Sequence, residues 1–173
     1  MNELVVLVDN QDNAIGVMPK LAAHEQGLLH RAFSVFICNS RGEILLQQRA
    51  LNKYHSAGLW SNACCSHPRP VENLHEAAVR RLKEEMGMAC EVKEVFSFIY
   101  KAHLENDLTE YEFDHVFVGI SDEVPAPDPE EVAAWKYIGY KELIKEMEVA
   151  PASFTEWFKL CLKDFSDQLF DLK

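Results

Sequence analysis

Two adjacent cysteines and a nearby histidine form the first group of residues whose types and spacing could do chemistry. The segment SNACCSHPRPV, residues 61–71, contains Cys64 and Cys65, with His67 two positions further on. Such a group could be a redox pair, half of a zinc site, or a nucleophile beside its base. The first two interpretations are weak, because adjacent cysteines close only a strained ring and no second cysteine pair stands at zinc-finger spacing. A buried, inert thiol is a further interpretation of Cys65.

A run of alternating carboxylates is the second such group. The segment TEYEFDHVFV predicts a strand, and the period of two places Glu110, Glu112 and Asp114 on one face. Neighbouring like charges repel each other unless water or a cation lies between them. The face is therefore either a solvated outer surface or a metal site.

Three histidines could complete a metal site. His24 and His30 flank the start of a predicted strand in AAHEQGLLHRAF, and His67 follows the cysteine pair. Each one alone is more simply an ordinary surface or core histidine. Together with two carboxylates, however, they could form a shell of three nitrogens and two oxygens suited to zinc, manganese or iron. No sulfur would then be a ligand, and Cys65 would be free for chemistry.

Six short segments rich in β-branched and aromatic residues predict the strands that would position these groups. They are ELVVLVD, RAFSVFICN, EILLQQRA, EVFSFIYKAHL, EYEFDHVFVGI and AAWKYIGY. The sequence NSRG at residues 39–42 predicts a hairpin turn between the second and the third. With the helices below, this predicts a mixed α/β fold in which helices flank a mixed sheet.

The segment NLHEAAVRRLKEEMG predicts a helix over residues 73–87. Asn73 is its expected N-cap, and Gly87 is its expected end. Glu85 lies beside the apolar face of this helix, where it could either pair with Arg81 or serve as a ligand.

A second amphipathic helix is predicted near the end of the chain, within residues 151–172. Ser153 and Glu156 have the spacing of a capping box at its start. Trp157 belongs to its apolar stripe, so the pattern alone predicts a core residue there.

Composition limits the function classes. The 173 residues predict a single domain, 1–173, and the net charge of −11 argues against nucleic acid and anionic membranes as partners. Five irregularly spaced cysteines, without a signal peptide or membrane span in the sequence, predict a cytoplasmic protein. Residues 1–83 hold 9 basic and 7 acidic side chains, so an anionic ligand would bind in this half. The sequence leaves the oligomeric state open.

The stretch HPRPVENLHEAAVRRLKEEMGM resembles the Nudix box. Residues at family positions are Glu72, Arg80, Leu82, Glu84, Glu85 and Gly87. Ser66 and Arg81 depart from the box, where they replace its first glycine and one glutamate. These departures agree with one branch, the type I isopentenyl-diphosphate isomerases, which the chain resembles over roughly residues 1–170. The matching segments are LLHRAFSVFICN, LLQQRALNKY, GLWSNACCSHP, FIYKAHL and LTEYEFDHVF.

The resemblance implies a Nudix-type fold and the isomerisation of isopentenyl diphosphate to dimethylallyl diphosphate in isoprenoid biosynthesis. It implies that one divalent transition metal, Zn2+ or Mn2+, is bound by His24, His30, His67, Glu110 and Glu112. It implies that Cys65 and Glu112 are the two catalytic groups, with Tyr100 hydrogen-bonded near Glu112. Glu85 would hold Mg2+ together with the Cys65 carbonyl and the substrate diphosphate. The implied substrate contacts are Lys20, Arg49, Lys53, Arg81 and Trp157.

Isomerisation requires an acid and a base at opposite ends of a five-carbon substrate. Glu112, held protonated or supplied with a proton, would be the acid, and the thiolate of Cys65 would be the base. Because a free thiol has a pKa of about 8.5, we expect cationic neighbours to lower the pKa of Cys65. Two alternatives stay open: a Nudix pyrophosphatase acting on a nucleoside diphosphate derivative, and a zinc-stabilised binding module without catalysis.

Overall fold

The computed structural model describes residues 3–170, and within this range nine strands form one mixed sheet with four α-helices around it. The strands are β1 (Leu4–Val8), β2 (Ala14–Pro19), β3 (His30–Cys38), β4 (Ile44–Arg49), β5 (Trp60–Ser61), β6 (Cys64–Ser66), β7 (Val92–His103), β8 (Thr109–Ile120) and β9 (Val132–Ile138). The helices are α1 (Lys20–Gln26), α2 (Leu74–Met86), α3 (Tyr140–Val149) and α4 (Glu156–Phe170). None of these helices is long and apolar enough to cross a membrane.

Strand β3 is the centre of the arrangement. Along one edge it pairs in parallel with β8, in a register that places His30 beside Glu112. Along the other edge it pairs with β6, where Ser34 lies opposite Cys65. Strand β7 pairs antiparallel with β8 and places Tyr100 beside Glu112. The candidate residues of four strands are therefore held in neighbouring rows of one sheet.

The alternation of side chains along β3 divides the interior into two cores. One core includes Phe33, Val35 and Ile37 together with Ala78 and Leu82 of α2. The other contains side chains of the opposite sheet face and the apolar stripe of α4, among them Phe36, Val116, Trp157, Phe158 and Cys161. The sheet therefore has a helix on each face, as the sequence predicts.

The predicted ends of α2 are confirmed. The Asn73 side chain accepts hydrogen bonds from the backbone N–H groups of His75 and Glu76, at 2.9 and 3.2 Å. Gly87 ends the helix with a φ of 67°, in the left-handed region that favours glycine. The hairpin turn at residues 39–42 is also confirmed, because Cys38 of β3 pairs with Ile44 of β4.

The predicted capping box of the terminal helix is wrong. Helix α4 begins at Glu156, whereas Ser153 ends a short 3-10 turn, Pro151–Ser153. The carbonyl of Thr155 accepts the first helical bond, from Lys159 N–H at 3.1 Å, and its hydroxyl lies 3.0 Å from Ser61 Oγ. Contact with the sheet therefore moves the start of the helix two residues further on. Residues 171 and 172 of the predicted helix lie outside the described residues.

Candidate active site

One cavity brings most of the sequence-predicted site residues together. Its wall includes Cys65, His67, Glu110 and Glu112, which the sequence assigns to catalysis and metal binding. It also includes three of the predicted substrate contacts, namely Lys20, Arg49 and Trp157. The two cations Lys20 and Arg49 share this wall with the carboxylate of Glu112, so the cavity presents both signs of charge.

A cluster of buried metal-ligand types lies beside this cavity. His24, His30, His67 and Glu112 each offer a ligand atom, and these atoms all lie within 4.8 Å of one another. Nε2 of His24, Nε2 of His30 and Nδ1 of His67 are buried without a hydrogen-bond partner. Buried polar atoms normally have a partner, so three such nitrogens around one carboxylate fit a divalent transition metal.

The orientation of two histidines also suits metal binding. Nδ1 of His30 lies 2.8 Å from the carbonyl oxygen of Leu28, and Nδ1 of His24 lies 3.1 Å from the hydroxyl of Tyr54. The carbonyl of Leu28 engages Nδ1 of His30 and leaves its Nε2 facing the cluster, as in ligands of known metal sites. Burial lowers the pKa of His24 to about 3 and therefore keeps its imidazole neutral.

Glu110 stands next to this cluster but outside the group of four. Its Oε1 lies 3.7 Å from Nε2 of His55, and its Oε2 lies 3.2 Å from the hydroxyl of Tyr100. Burial and the adjacent charge of Glu112 raise the pKa of Glu110 well above its ordinary value. In the metal-free site a proton on this pair is therefore held by Glu110 rather than by Glu112.

Glu112 has the opposite protonation state. Burial disfavours its charge, but the close nitrogens of His30 and His67, at 3.5 and 3.0 Å, hold the pKa of Glu112 well below its ordinary value. The hydroxyl of Tyr100 donates to Oε2 of Glu112 at 2.6 Å. In this structure Glu112 is therefore ionised. The alternative of a solvated outer face is wrong, because Glu110 and Glu112 are 4% and 7% exposed.

The Cys65 thiol is enclosed by polar groups. Its sulfur accepts from Trp157 Nε1–H at 2.9 Å, donates to Asn62 Oδ1 at 3.0 Å, and lies 3.6 Å from the hydroxyl of Ser34. Burial, followed by the carboxyl of Asp114, raises the pKa of Cys65 above its ordinary value. The lowered pKa expected for this residue is therefore not found, because the described neighbours do not outweigh burial.

Cys64 is separated from this chemistry by strand alternation. It is fully buried and packs against the core that contains α2, on the sheet face opposite to Cys65. Its interpretation as a packing residue is confirmed.

Three of the predicted residues belong neither to the cavity wall nor to the group of side chains around Glu112. Glu85 is paired with Arg81, and its Oε2 accepts from Nε2 of Gln47 at 3.0 Å. Lys53 and Arg81 both pair with the carboxylate of Glu131, the latter at 3.5 Å. The ion pair that the sequence offered as an alternative for Glu85 is therefore present.

Two residues of the site were missed by sequence reasoning. His55 is 5% exposed and lines the cavity, and Asn62 is fully buried beneath Cys65. His55 lies in an irregular loop and Asn62 in a turn between two very short strands, so neither belongs to a periodic pattern. Only their burial, which the sequence does not display, marks them out.

Comparison with known proteins identifies the family. The NUDIX domain model matches residues 28–158. A relative from Burkholderia multivorans named isopentenyl-diphosphate Delta-isomerase is 56% identical over 158 residues, which are 91% of this chain and 90% of the relative. This chain belongs to the isopentenyl-diphosphate Delta-isomerase family. A relative of the same name from Serratia proteamaculans is 52% identical and covers 95% of this chain and 92% of its own. The resemblance inferred from the sequence is confirmed.

Solved structures confirm the Nudix fold. The crystal structure of DR0079 from Deinococcus radiodurans aligns with a TM-score of 0.77, over 94% of this chain and 99% of its own, at 18% identity. A MutT NUDIX hydrolase from Burkholderia pseudomallei aligns with a TM-score of 0.62, over 79% of this chain and 98% of its own, at 18% identity. At such identities these likenesses establish the fold of the isomerase-family chain and nothing further.

Burial of His55 predicts a specific pH dependence of stability. Burial, assisted by the charge of Arg49, lowers the pKa of His55 from 6.5 to about 2, so only the unfolded chain binds this proton near pH 6. A pKa that is depressed by folding gives stability that is present above pH 6.5 and is lost as the pH falls. The quantity to compare is the unfolding free energy of the metal-free parent protein minus that of metal-free His55→Gln. This difference should drop by about 1 kcal/mol from pH 6.5 to pH 5.5.

Urea unfolding of the two proteins at both pH values measures this difference. The replacement of an exposed histidine, His103→Gln, is the matched control and should follow the parent protein. An equal pH dependence of parent and His55→Gln would show that the His55 imidazole is not excluded from protonation by folding.

Proposed function

We propose that this chain isomerises isopentenyl diphosphate to dimethylallyl diphosphate as a step of isoprenoid biosynthesis. The observation that carries the proposal is the presence of Cys65 and Glu112 on the wall of one cavity, with the indole of Trp157 on the same wall. An acid, a base and an aromatic face are the groups that moving an unactivated double bond requires. The names of the relatives described above support the same activity.

The reaction balances as one proton gained and one proton lost. The alkene electron pair forms a new C–H bond at the terminal methylene with a proton from Glu112, which leaves positive charge at the tertiary carbon. The electrons of a C–H bond on the carbon nearer the diphosphate then form the new double bond, and that proton passes to the Cys65 sulfur. The indole face of Trp157 is suited to stabilise the positive charge between the two steps.

The protonation states of Cys65 and Glu112 in the metal-free site suit the reverse reaction, from dimethylallyl diphosphate to isopentenyl diphosphate. A thiol at Cys65 and a carboxylate at Glu112 could protonate dimethylallyl diphosphate and remove a proton from its methyl group. The forward direction requires a proton on Glu112. The hydroxyl of Tyr100, 2.6 Å from Oε2 of Glu112, is placed to relay that proton.

The charged residues around the cavity would anchor the diphosphate. Lys20 and Arg49 are on the wall, while Lys53 and Arg81 lie around Glu131 and stay a prediction as substrate contacts. Arg81 stands where the Nudix box has a metal-binding glutamate, which opposes the hydrolytic chemistry of other Nudix proteins. The diphosphate is therefore proposed to be an anchor rather than a reacting group.

The proposed cofactors are one Zn2+ or Mn2+ ion and Mg2+. The first would be held by His24, His30, His67 and Glu112, with Glu110 as a fifth ligand, and would supply fixed positive charge beside the carboxylates. Mg2+ would bind with the diphosphate at Glu85, which alone offers too few oxygens for a tight site. A single domain over 1–173, a cytoplasmic location, and partners limited to the small substrate stay predictions.

The cysteine pair offers a matched test of the chemistry. Cys65→Ala should abolish conversion of isopentenyl diphosphate, because no neighbouring group replaces the thiol in proton transfer, whereas Cys64→Ala should stay active. Both substitutions remove the same atoms, so their stabilities can be compared directly by thermal unfolding. Equal loss of activity in both variants would assign the pair to packing and contradict the proposed role of Cys65.

The histidine cluster predicts which variants lose metal. The protein should carry one tightly bound transition metal, and His24→Ala, His30→Ala or His67→Ala should release it, because each removes a nitrogen ligand. Elemental analysis after dialysis measures the content directly. His103→Ala, which replaces an exposed histidine, should retain the ion. Full metal content in all three cluster variants would place the metal elsewhere.

A further inference from the structure

A buried carboxamide stands directly behind the thiol of Cys65. Asn62 has no solvent exposure, and it lies in the turn between β5 and β6. Neither the proposed proton transfers nor the metal cluster uses this residue. A fully buried amide costs free energy unless its donors and acceptor are all satisfied, so its contacts are informative.

The orientation of the Asn62 amide is fixed by the backbone. Its Nδ2 group donates to the carbonyl oxygen of Val35 at 3.0 Å and to that of Cys64 at 2.9 Å. An amide oxygen cannot donate, so exchanging the two ends would bring oxygen against two carbonyl oxygens. Oδ1 therefore points away from these two backbone carbonyl oxygens.

Oδ1 of Asn62 points at the groups that would perform the chemistry. It accepts from the thiol of Cys65 at 3.0 Å and from Trp157 Nε1–H at 3.2 Å. It also accepts from the hydroxyl of Ser61 at 2.9 Å. The indole N–H in turn lies 2.9 Å from the sulfur of Cys65, so amide, thiol and indole form a closed triangle.

We propose that Asn62 is a positioning residue that fixes the sulfur of Cys65 against the substrate carbon from which it takes a proton. The hydrogen bond from the thiol to Oδ1 selects one rotamer of Cys65, and in the thiolate the indole N–H, which the same oxygen holds, still donates to the sulfur. The same oxygen holds the indole whose face lines the cavity, so one amide aligns the base and the aromatic wall together. This inference rests on the proposed isomerase function.

The proposal predicts a change in how the cationic intermediate partitions between product and returned substrate. In D2O, Glu112 delivers deuterium to the terminal carbon, and the intermediate either loses a proton to Cys65 or returns to isopentenyl diphosphate. A misplaced sulfur slows only the loss of a proton to Cys65, not the return to isopentenyl diphosphate. The measured quantity is a ratio at low conversion: the amount of deuterium in recovered isopentenyl diphosphate divided by the amount of dimethylallyl diphosphate formed. This ratio should therefore be higher in Asn62→Ala than in the parent protein. General loss of structure would lower both quantities and leave their ratio unchanged.

The kinetic constants give a second readout. The turnover number kcat of Asn62→Ala should fall roughly tenfold or more, because misplacing a reacting group by about an ångström has effects of that size. The KM should stay near that of the parent, since none of the hydrogen bonds of the Asn62 amide involves Lys20 or Arg49. The matched control is Asn39→Ala, which removes a buried asparagine that binds backbone in the β3–β4 turn. It should leave kcat and the deuterium ratio unchanged.

Asn62→Leu is the second variant, because it fills the volume that Asn62→Ala leaves empty. A raised ratio in either folded variant supports the proposal. An unchanged ratio in both overturns it, and so does a failure of both to fold while Asn39→Ala folds, since the amide is then a structural group. A parent protein that forms no dimethylallyl diphosphate overturns the proposed function itself, which distinguishes that failure from the failure of this inference.

Discussion

The site is organised around the burial of the ionised Glu112 carboxylate inside the sheet. An unpaired buried charge costs several kcal/mol, and the two further carboxyl groups on the same strand face, Glu110 and Asp114, have raised pKa values beside it. The structure offsets it with His67 at 3.0 Å, His30 at 3.5 Å and the hydroxyl of Tyr100 at 2.6 Å. These partners come from different elements, so the charge can be buried only when the sheet register is correct.

The same sheet register places Glu110 and Tyr100 close to Glu112 and so determines what these two groups can do. Burial and the charge of Glu112 raise the pKa of Glu110 well above its ordinary value, so in the metal-free site the pair keeps its proton on Glu110. In the metal-free protein the hydroxyl of Tyr100 joins these two carboxyl groups, so a proton can pass between them. A cation held by the three histidines would add positive charge to a cluster that already has three unpartnered nitrogens.

Strand geometry separates the chemistry from the core. Because alternate side chains point to opposite faces, Cys64 packs against the core of α2 while Cys65 faces the cavity and α4. Two adjacent residues of the same type therefore have unrelated surroundings. The position of Trp157 follows the same logic, since it belongs to the apolar stripe of α4 and also forms part of the cavity wall.

Regular patterns were predictable from the sequence, and local irregularities were not. The strand with Glu110 and Glu112 and the helix capped by Asn73 and Gly87 have strong periodic or capping signals, and both are confirmed. Strands β5 and β6 are only two and three residues long, which is too short for any period to appear. Strand β2 has no buried residue, so it lacks an alternating pattern.

Short helices were missed for a related reason. Helix α1 has seven residues, and α3 buries only Leu143, so neither shows a clear apolar stripe. The sequence AAWKYIGY was predicted to be one strand, whereas β9 ends at Ile138 and α3 begins at Tyr140. The site residues His55 and Asn62 are recognisable only through burial, which arises from tertiary contacts that no local pattern records.

This Nudix fold is proposed to perform chemistry at carbon and to leave the diphosphate intact. The most direct measurement is one incubation of isopentenyl diphosphate with the metal-loaded protein and Mg2+ in D2O, followed by proton and phosphorus NMR. Carbon-bound deuterium and dimethylallyl diphosphate are expected, with the phosphorus signals of a diphosphate monoester retained throughout. Release of orthophosphate or pyrophosphate without deuterium at carbon would contradict this proposal and would favour a Nudix pyrophosphatase.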